Sequence, residues 1–193
     1  MKFSNGRWLQ QEGCACFSPA QVYFTKIEPD MVTLCAPTAQ IRHRGDTLGG
    51  VNLTIAFSAP YPEVLRVRVW HHRGLQERVP RFELAPGRSG LLKAEETEEK
   101  IVISSGSLRA EVSKESGDFV FFRGDEKLTG SEYRGLAYVK TDWKGDAYNR
   151  GPEDAYMRQQ LTLSVGELIY GLGERFGPFV KNGQSVDIWN EDG

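Results

Sequence analysis

Cysteine and histidine are the residue types in this chain that could bind a metal ion or transfer a proton near neutral pH. Cys14 and Cys16 have the spacing of a ligand pair, but structural zinc takes four ligands, and the sequence contains no second pair at a suitable spacing. His71 and His72 are neighbours and would face opposite sides of a strand, and His43 has no obvious carboxylate or thiol partner in the sequence. We therefore predict no metal site.

Gly171 and Gly173 could belong to a dinucleotide-binding fingerprint, in which glycines let the backbone approach a pyrophosphate. The third glycine of that pattern would fall at Phe176, however, and Gly177-Pro178 follows where a helix should begin. The two glycines are better explained by a bulge, or by a close approach of the backbone, where a strand leaves a sheet. The sequence therefore predicts no cofactor.

The elements that must position functional residues are strands, because apolar and polar side chains alternate with a period of two along much of the chain. The alternation is clearest over residues 51–58 and 65–69, which flank the turn-forming sequence 58–62. Further strands are predicted at 22–27, 32–35, 101–103, 108–112, 119–122 and 161–165, with a hairpin turn at Arg123-Gly124-Asp125-Glu126. Residues 73–90 and 138–153 are predicted to be long surface connections.

An all-β sandwich or barrel is the fold class that these patterns predict. No window of eleven or more residues shows a helical period, and the 21 glycines and 9 prolines would interrupt a long helix. Many short strands joined by frequent turns are typical of sandwiches and barrels. A chain of 193 residues is long enough for one such domain with its own core.

The overall composition argues against nucleic acid and membrane partners. With 24 basic and 26 acidic residues the formal net charge is -2, which is too small to attract a polyanion or an anionic membrane. No stretch approaches the ~20 apolar residues of a membrane-spanning helix, and the N-terminus lacks the apolar segment of a secretory signal. The odd number of cysteines, Cys14, Cys16 and Cys35, fits reduced thiols better than disulfides. We therefore expect a cytoplasmic protein.

Two segments near the end of the chain carry a family resemblance. Residues 166–179 read Gly-Glu-Leu-Ile-Tyr-Gly-Leu-Gly-Glu-Arg-Phe-Gly-Pro-Phe, and residues 188–193 read Ile-Trp-Asn-Glu-Asp-Gly. They resemble the YGLGER strand and the WN-x-D loop of glycoside hydrolase family 31, close to its bacterial α-xylosidase branch. Less specific likeness at 6–9, 108–114 and 128–131 extends the resemblance over nearly the whole chain.

The resemblance implies a galactose-mutarotase-like β-sandwich, or supersandwich, with long loops, formed by residues 1–193. In the family this domain packs against a (β/α)₈ barrel that carries two catalytic aspartates, so the barrel would lie beyond Gly193 and would be the partner of this domain. Members hydrolyse an α-linked glycoside, here a glucoside or a xyloside, with retention, which requires a nucleophile and an acid roughly 5 to 5.5 Å apart. The resemblance thus implies no catalytic residue in this chain.

The same resemblance implies that residues 174–193 begin a loop that reaches over the barrel mouth, with Asp192, Trp189 and Asn190 at the substrate site. An ionised carboxylate accepts up to four hydrogen bonds and can bridge vicinal hydroxyls, which suits Asp192 to this role. Trp189 could stack on a sugar face or brace the loop. Glu174 and Arg175 are interpreted as anchors of the loop, because adjacent strand residues point to opposite faces.

Two other functions stay open from the residues alone. A standalone carbohydrate-binding or interaction module could hold sugar through exposed aromatic residues such as Trp70, Trp143 or Trp189. A free-standing mutarotase is suggested only by fold analogy, and it would need a general acid and base that no histidine and carboxylate pair in this sequence clearly supplies. Exposed sheet edges are also compatible with a homo-oligomer.

Overall fold

Short antiparallel strands make up nearly all of the regular structure. The computed structural model describes residues 12–71, 91–141, 155–173, 176–186 and 188. In these ranges the strands are β1 (Cys14–Phe17), β2 (Phe24–Ile27), β3 (Met31–Pro37), β4 (Asn52–Ser58), β5 (Arg66–Trp70), β6 (Lys93–Glu96), β7 (Lys100–Ser105), β8 (Leu108–Ser113), β9 (Phe119–Arg123), β10 (Glu126–Ser131), β11 (Leu136–Thr141) and β12 (Ala155–Gln159). The helical structure in the same ranges is one 3₁₀ turn, Arg44–Thr47, and no helix there is long and apolar enough to cross a membrane.

The strands form three antiparallel sheets within the described residues. A four-stranded sheet has the order β2-β3-β4-β5, and a five-stranded sheet has the order β10-β9-β8-β7-β6. In both sheets each strand pairs with the next strand along the chain, as short turns between antiparallel strands allow. The third sheet has the order β1-β11-β12, so β1 pairs with a strand that is far away in sequence.

The hydrophobic core joins the four-stranded and five-stranded sheets. Leu34 and Ile55, which pair across β3 and β4, are fully buried, and so are Ile103 and Ala110, which pair across β7 and β8. The ring of Phe57 on β4 meets the ring of Phe119 on β9 edge to face, with the ring centroids 5.5 Å apart. Two sheets that pack their apolar faces together form a sandwich. The predicted all-β sandwich is therefore confirmed.

Most of the predicted strands are present. The patterns at 51–58 and 65–69 correspond to β4 and β5, and those at 101–103, 108–112 and 119–122 correspond to β7, β8 and β9. The predicted strands at 22–27 and 32–35 lie on β2 and β3. The hairpin turn at 123–126 is also confirmed, since Arg123 and Glu126 are paired across β9 and β10.

The predicted strand at 161–165 is wrong. The strand in this region is β12, which ends at Gln159, and Leu161, Leu163 and Val165 are all at least half exposed. A ladder needs repeated backbone pairing, whereas in this segment Thr162 alone among the described residues bonds β10. Its backbone N–H donates to the carbonyl of Gly130 (2.9 Å), and its hydroxyl accepts from the N–H of Gly130 (3.0 Å). The alternation of apolar residues therefore does not mark a sheet face here.

The predicted long connection at 138–153 is wrong in its first part. Residues 138–141 belong to β11, where Tyr138 pairs with Phe17 on one side and with Met157 on the other. The rest of this predicted connection lies outside the described residues, as does the predicted connection at 73–90.

The chain divides into two compact units. The larger unit is Glu12–Thr162 and contains all three sheets, and the smaller unit combines Met1–Gln11 with Leu163–Gly193. In the smaller unit the structure describes 163–173, 176–186 and 188. The organisation of residues 1–193 as one domain, with 174–193 as the start of a loop, stays a prediction.

The carboxylate of Glu63, in the β4–β5 connection, forms hydrogen bonds with the hairpin turn between β7 and β8. It accepts hydrogen bonds from the backbone N–H of Ser107 (2.9 Å) and from the Ser107 hydroxyl (2.5 Å). The hydrogen bond from the Ser107 hydroxyl is the main reason why the pKa of Glu63 lies below its ordinary value. Gly106 precedes Ser107 with a φ of +62°, and a Cβ at Gly106 would overlap the Glu63 carboxylate. This turn therefore requires glycine for two separate reasons.

We expect Gly106→Ala to lower the free energy of unfolding by more than Gly124→Ala does. Both glycines occupy the first turn position of a two-residue hairpin with positive φ, +62° and +57°, so alanine costs each about 1 kcal/mol of backbone strain. At Gly124 no described atom would meet the new Cβ, whereas at Gly106 the new Cβ must displace Glu63 from Ser107. Urea unfolding of both variants measures the difference. Equal losses, or a difference that persists in a Glu63→Ala background, would contradict this explanation.

Candidate functional site

The residues expected to contact substrate lie outside the described part of the chain. This holds for Asp192, Trp189 and Asn190, and also for Glu174 and Arg175, which were interpreted as loop anchors. The structure does describe most of the segment that leads to them, residues 163–173, 176–186 and 188.

The YGLGER segment is not a strand in its described part. Residues 168–173 belong to none of the sheets, and Gly171, Leu172 and Gly173 have φ values of +119°, +71° and +74°. Three successive residues with positive φ turn the backbone in a way that an extended strand cannot. No described atom lies within 4 Å of a Cβ built on either glycine, so positive φ is the constraint that the described residues show for both.

The side chain of Asn182 connects two parts of the smaller unit. Its Oδ1 atom accepts a hydrogen bond from the backbone N–H of Ile169 (2.7 Å), and its Nδ2 atom donates to the carbonyl of Glu167 (2.9 Å). The backbone N–H of Lys181 adds a bond to the carbonyl of Ile169 (2.8 Å). We call this set of three hydrogen bonds the Asn182 clamp. The sequence analysis missed it, although Asn182-Gly183 is a recognisable turn sequence.

Large apolar side chains of the smaller unit are exposed. Val165 and Phe176 are fully exposed, at 107% and 105%, and Phe179 is 80% exposed, although its ring lies 5.2 Å from that of Tyr170. Other apolar residues of the unit with large exposed fractions are Leu168, Ile169, Leu172 and Ile188. Scattered exposed apolar residues are normal, but so many within one short segment are typical of an interaction surface.

The larger unit carries a groove of about 950 Å³ on the side of the five-stranded sheet. Its walls include Lys100, Glu111, Lys114, Asp118 and Tyr133. The Lys114 ammonium lies 2.7 Å from Glu96, and the Asp118 carboxylate accepts a hydrogen bond from the backbone N–H of Tyr133 (3.3 Å). Several of the charged groups are thus already engaged with other protein groups.

Glu111 is the groove carboxylate with the best-defined electrostatics. Its two oxygens lie 2.9 Å from the Lys100 ammonium and 2.9 Å from the Arg109 guanidinium. The hydrogen bond from Lys100 is the main cause that lowers the pKa of Glu111. A glycosidase acid needs a raised pKa so that it carries a proton at neutral pH. Glu111 is therefore suited to an ion-pair network and not to general acid catalysis.

The histidines in the described ranges contact groups close to them. The expectation that His43 lacks a carboxylate partner is wrong, because its Nε2 atom lies 3.5 Å from Asp46, three residues along the chain. The 3₁₀ turn brings the two together, and the His43 Nδ1 atom accepts a hydrogen bond from Gly45. The His71 ring packs on Tyr138 with centroids 4.2 Å apart, and His72 lies outside the described residues.

Comparison with models of known protein families identifies the family to which the chain belongs. A family model described as the glycosyl hydrolase 31 N-terminal galactose mutarotase-like domain matches residues 53–193. The chain belongs to this family. The match covers most of the chain, so the resemblance seen in the sequence is confirmed, and the sandwich described above is the mutarotase-like fold.

Two curated relatives of this mutarotase-like domain are α-xylosidases. The α-xylosidase of Emericella nidulans is 36% identical over 208 residues, which cover 100% of this chain and 26% of the relative. Alpha-xylosidase XylQ of Lactiplantibacillus pentosus is 33% identical over 194 residues, which cover 100% of this chain and 24% of the relative. The chain thus spans about a quarter of the length of the curated relatives that it matches.

A solved structure shares the fold of the mutarotase-like domain. The uncharacterized protein lmo2446 of Listeria monocytogenes EGD-e matches 92% of this chain with a TM-score of 0.63 and 20% sequence identity. The match covers 15% of the Listeria chain. At this identity the likeness supports the fold and carries nothing about function.

Trp70 is the tryptophan within the described ranges that was considered for sugar binding. It ends β5, is partly buried, and has the Arg68 guanidinium 5.1 Å from its ring centroid. Trp143 and Trp189 lie outside the described residues. The indole of Trp70 is therefore engaged within the mutarotase-like domain, which does not favour a sugar-stacking role for it.

Proposed function

We propose that this chain is the non-catalytic N-terminal domain of a retaining α-glycosidase that acts on an α-linked xyloside or glucoside. The observation that carries the proposal is the match of the whole chain to two α-xylosidases, at 36% and 33% identity. Because the chain corresponds to only about a quarter of each relative, the proposal assigns the nucleophile and the acid to the remaining part of the protein, in a (β/α)₈ barrel.

The domain in this proposal has two roles, to support the barrel and to supply a loop to the substrate site. The loop begins within 174–193, and Asp192, with Trp189 and Asn190, contacts the sugar. The family match extends to residue 193 and so includes all three positions. An ionised carboxylate that accepts hydrogen bonds from two neighbouring hydroxyls gives both affinity and orientation.

The exposed apolar side chains of the smaller unit favour the proposal that a partner domain packs against it. Val165, Phe176 and Phe179 expose most or all of their surface to water. Burying such side chains stabilises an assembly by roughly 1.5 to 3 kcal/mol each. A barrel that follows in the same polypeptide is the partner we propose for this surface.

Glu111 does not have the property that the acid catalyst requires. The hydrogen bond from Lys100 lowers its pKa, whereas a glycosidase acid needs a raised pKa. We also propose a cytoplasmic location, in keeping with Cys14, Cys16 and Cys35, which are all free thiols in the structure.

The proposal is tested by comparing the full-length protein with the 193-residue chain on aryl α-xyloside and aryl α-glucoside substrates. We expect hydrolysis by the full-length protein and none by the chain alone, because the acid and nucleophile are assigned outside it. Hydrolysis by the purified chain that a substitution within the chain, such as Glu111→Gln, abolishes would contradict the non-catalytic role. A full-length protein that cleaves neither substrate would contradict the substrate class.

A further inference from the structure

The groove of the larger unit has the size and the composition of a binding site for a polar molecule. Its volume of about 950 Å³ lies at the upper end of the range of roughly 300 to 1,000 Å³ that is usual for ligand sites. Its walls combine apolar side chains, among them Val120 and Phe122, with hydroxyl, carboxylate and ammonium groups. The residues that line it all belong to the larger unit and to the described ranges.

Tyr133, in the wall of this groove, has a backbone conformation that favours other residue types. Its φ is +53° and that of Arg134 is +63°, so two successive residues other than glycine occupy the left-handed region. The cost is about 1 to 2 kcal/mol for each residue, whereas glycine and asparagine adopt this region more readily. The Tyr133 side chain is 70% exposed and so contributes little to the core. Stability therefore does not explain a tyrosine at this position.

Hydrogen bonds fix the turn that carries Tyr133. The backbone N–H of Tyr133 donates to the Asp118 carboxylate at 3.3 Å, and the carbonyl of Arg134 accepts from the Arg158 guanidinium at 2.9 Å. Strained backbone persists only where the surroundings hold it, and it is concentrated at sites that bind ligands. Asp118 also lines the groove. The backbone beneath the exposed ring is thus ordered before a ligand binds, which lowers the entropic cost of binding.

The polar walls of the groove present donors and acceptors together. The Lys100 ammonium lies 2.9 Å from Glu111, and the Lys114 ammonium lies 2.7 Å from Glu96. An ammonium has three donors and a carboxylate has about four acceptor sites, so such pairs can bond a ligand as well. A metal ion is not favoured, because the described residues include no group of three or more ligating side chains that could hold one. The two lysines oppose a cationic ligand, whereas a neutral polyol matches both kinds of group.

We propose that this groove binds a neutral α-linked oligosaccharide. The ring of Tyr133 stacks on one face of a sugar, and the carboxylates and ammonium groups of the walls bond its hydroxyls. The inference goes beyond the proposed function, which gives the larger unit no contact with sugar. It rests on the proposed function for the choice of sugar, because an α-linked xyloside or glucoside is the substrate proposed for the full-length protein.

Calorimetric titration of the full-length protein tests this inference. The probe is a thio-linked α-oligoglucoside, which keeps the sugar hydroxyls but resists hydrolysis. We expect Tyr133→Asn to lower the affinity of the groove by about tenfold or more, because the stacking ring is lost, so that a binding event seen in the wild type disappears. We expect its melting temperature to equal or exceed that of the wild type, because asparagine tolerates the left-handed region.

Tyr61→Asn is the matched control for Tyr133→Asn. Tyr61 is another exposed tyrosine of the larger unit, at 49%, but it lies in the β4–β5 connection and is not part of the groove wall. We expect its titration to match that of the wild type.

Hydrolysis of the aryl α-xyloside and aryl α-glucoside, measured on the same preparations, separates this inference from the proposed function. A binding event lost only in Tyr133→Asn would support the groove as a sugar site, and if neither substrate were cleaved, the proposed function alone would fall. An unchanged titration of Tyr133→Asn, or an equal loss in Tyr61→Asn, would overturn the groove inference whatever the rate of hydrolysis. A melting temperature of Tyr133→Asn well below that of the wild type would also overturn it, because stability would then explain the tyrosine.

A titration with tetralysine covers the competing ligand class. If tetralysine bound the wild type and not Tyr133→Asn, while the oligoglucoside showed no event that depends on Tyr133, the groove would be a site for a basic peptide. That result would overturn the sugar inference and leave the proposed function untouched.

Discussion

Replacing Phe119 by alanine is expected to lower the free energy of unfolding of this domain by about 3 to 5 kcal/mol. Phe119 lies on β9, is fully buried, and meets the rings of Phe57 and Phe121 edge to face, each with centroids 5.5 Å apart. Because Phe57 belongs to the opposite sheet, the cavity left by alanine would open between the two layers of the sandwich. Neither layer can close it without moving the other.

Urea unfolding of the chain measures this loss, and Phe122→Ala is the matched control. Phe122 lies on the same strand but is only partly buried, with the Arg109 guanidinium 4.7 Å from its ring centroid. Its removal takes less apolar surface out of the interior, so a smaller loss is expected. Losses of equal size for the two variants would contradict the assignment of Phe119 to the centre of the core.

Replacing Asp192 by alanine in the full-length protein is expected to reduce kcat/KM by the equivalent of about 1 to 3 kcal/mol. In the proposed role of Asp192, the substitution removes charge-assisted hydrogen bonds to sugar hydroxyls, which alanine cannot replace. Steady-state kinetics on an aryl α-xyloside measures the effect, and the split between KM and kcat shows whether the contact is made in the bound substrate or mainly in the transition state.

Glu191→Ala is the control for Asp192→Ala. Glu191 is the adjacent residue with the same charge, so the variant changes the net charge of the loop equally while leaving Asp192 in place. We expect a much smaller loss of kcat/KM from it. If Asp192→Ala left kcat/KM unchanged, Asp192 would be a structural residue and the substrate site would have to be built without it.

The sequence predicts the sandwich well where pairing is local. β4, β7 and β8 have one row of apolar residues that faces the core, so the period of two in the sequence reports their burial directly. The turn at Gly124 could also be predicted, because glycine tolerates the positive φ that a two-residue hairpin requires. In these elements the local pattern and the tertiary packing agree.

Prediction from the sequence fails where contacts with residues far away in the chain determine the structure of a segment. Leu161, Leu163 and Val165 alternate like a strand, yet their side chains are exposed, because a period of two does not reveal whether a partner strand is present. Residues 138–141 were assigned to a connection, because nothing local shows that β1 pairs with them. The Asn182 clamp depends on side-chain bonds across thirteen and fifteen residues, which no periodic pattern records.

The pairing of β1 with β11 also constrains the order in which the native contacts can form during synthesis. Cys14 on β1 pairs with Thr141 on β11, so 127 residues (141 − 14) must be added by the ribosome after Cys14 before that contact can exist. At about 5 to 20 residues per second this takes roughly 6 to 25 seconds. The hairpins of the five-stranded sheet need only neighbouring strands, and hairpins form within about 10 microseconds. Of the described strands, β1 is synthesised first, yet it is among the last to find its native partner.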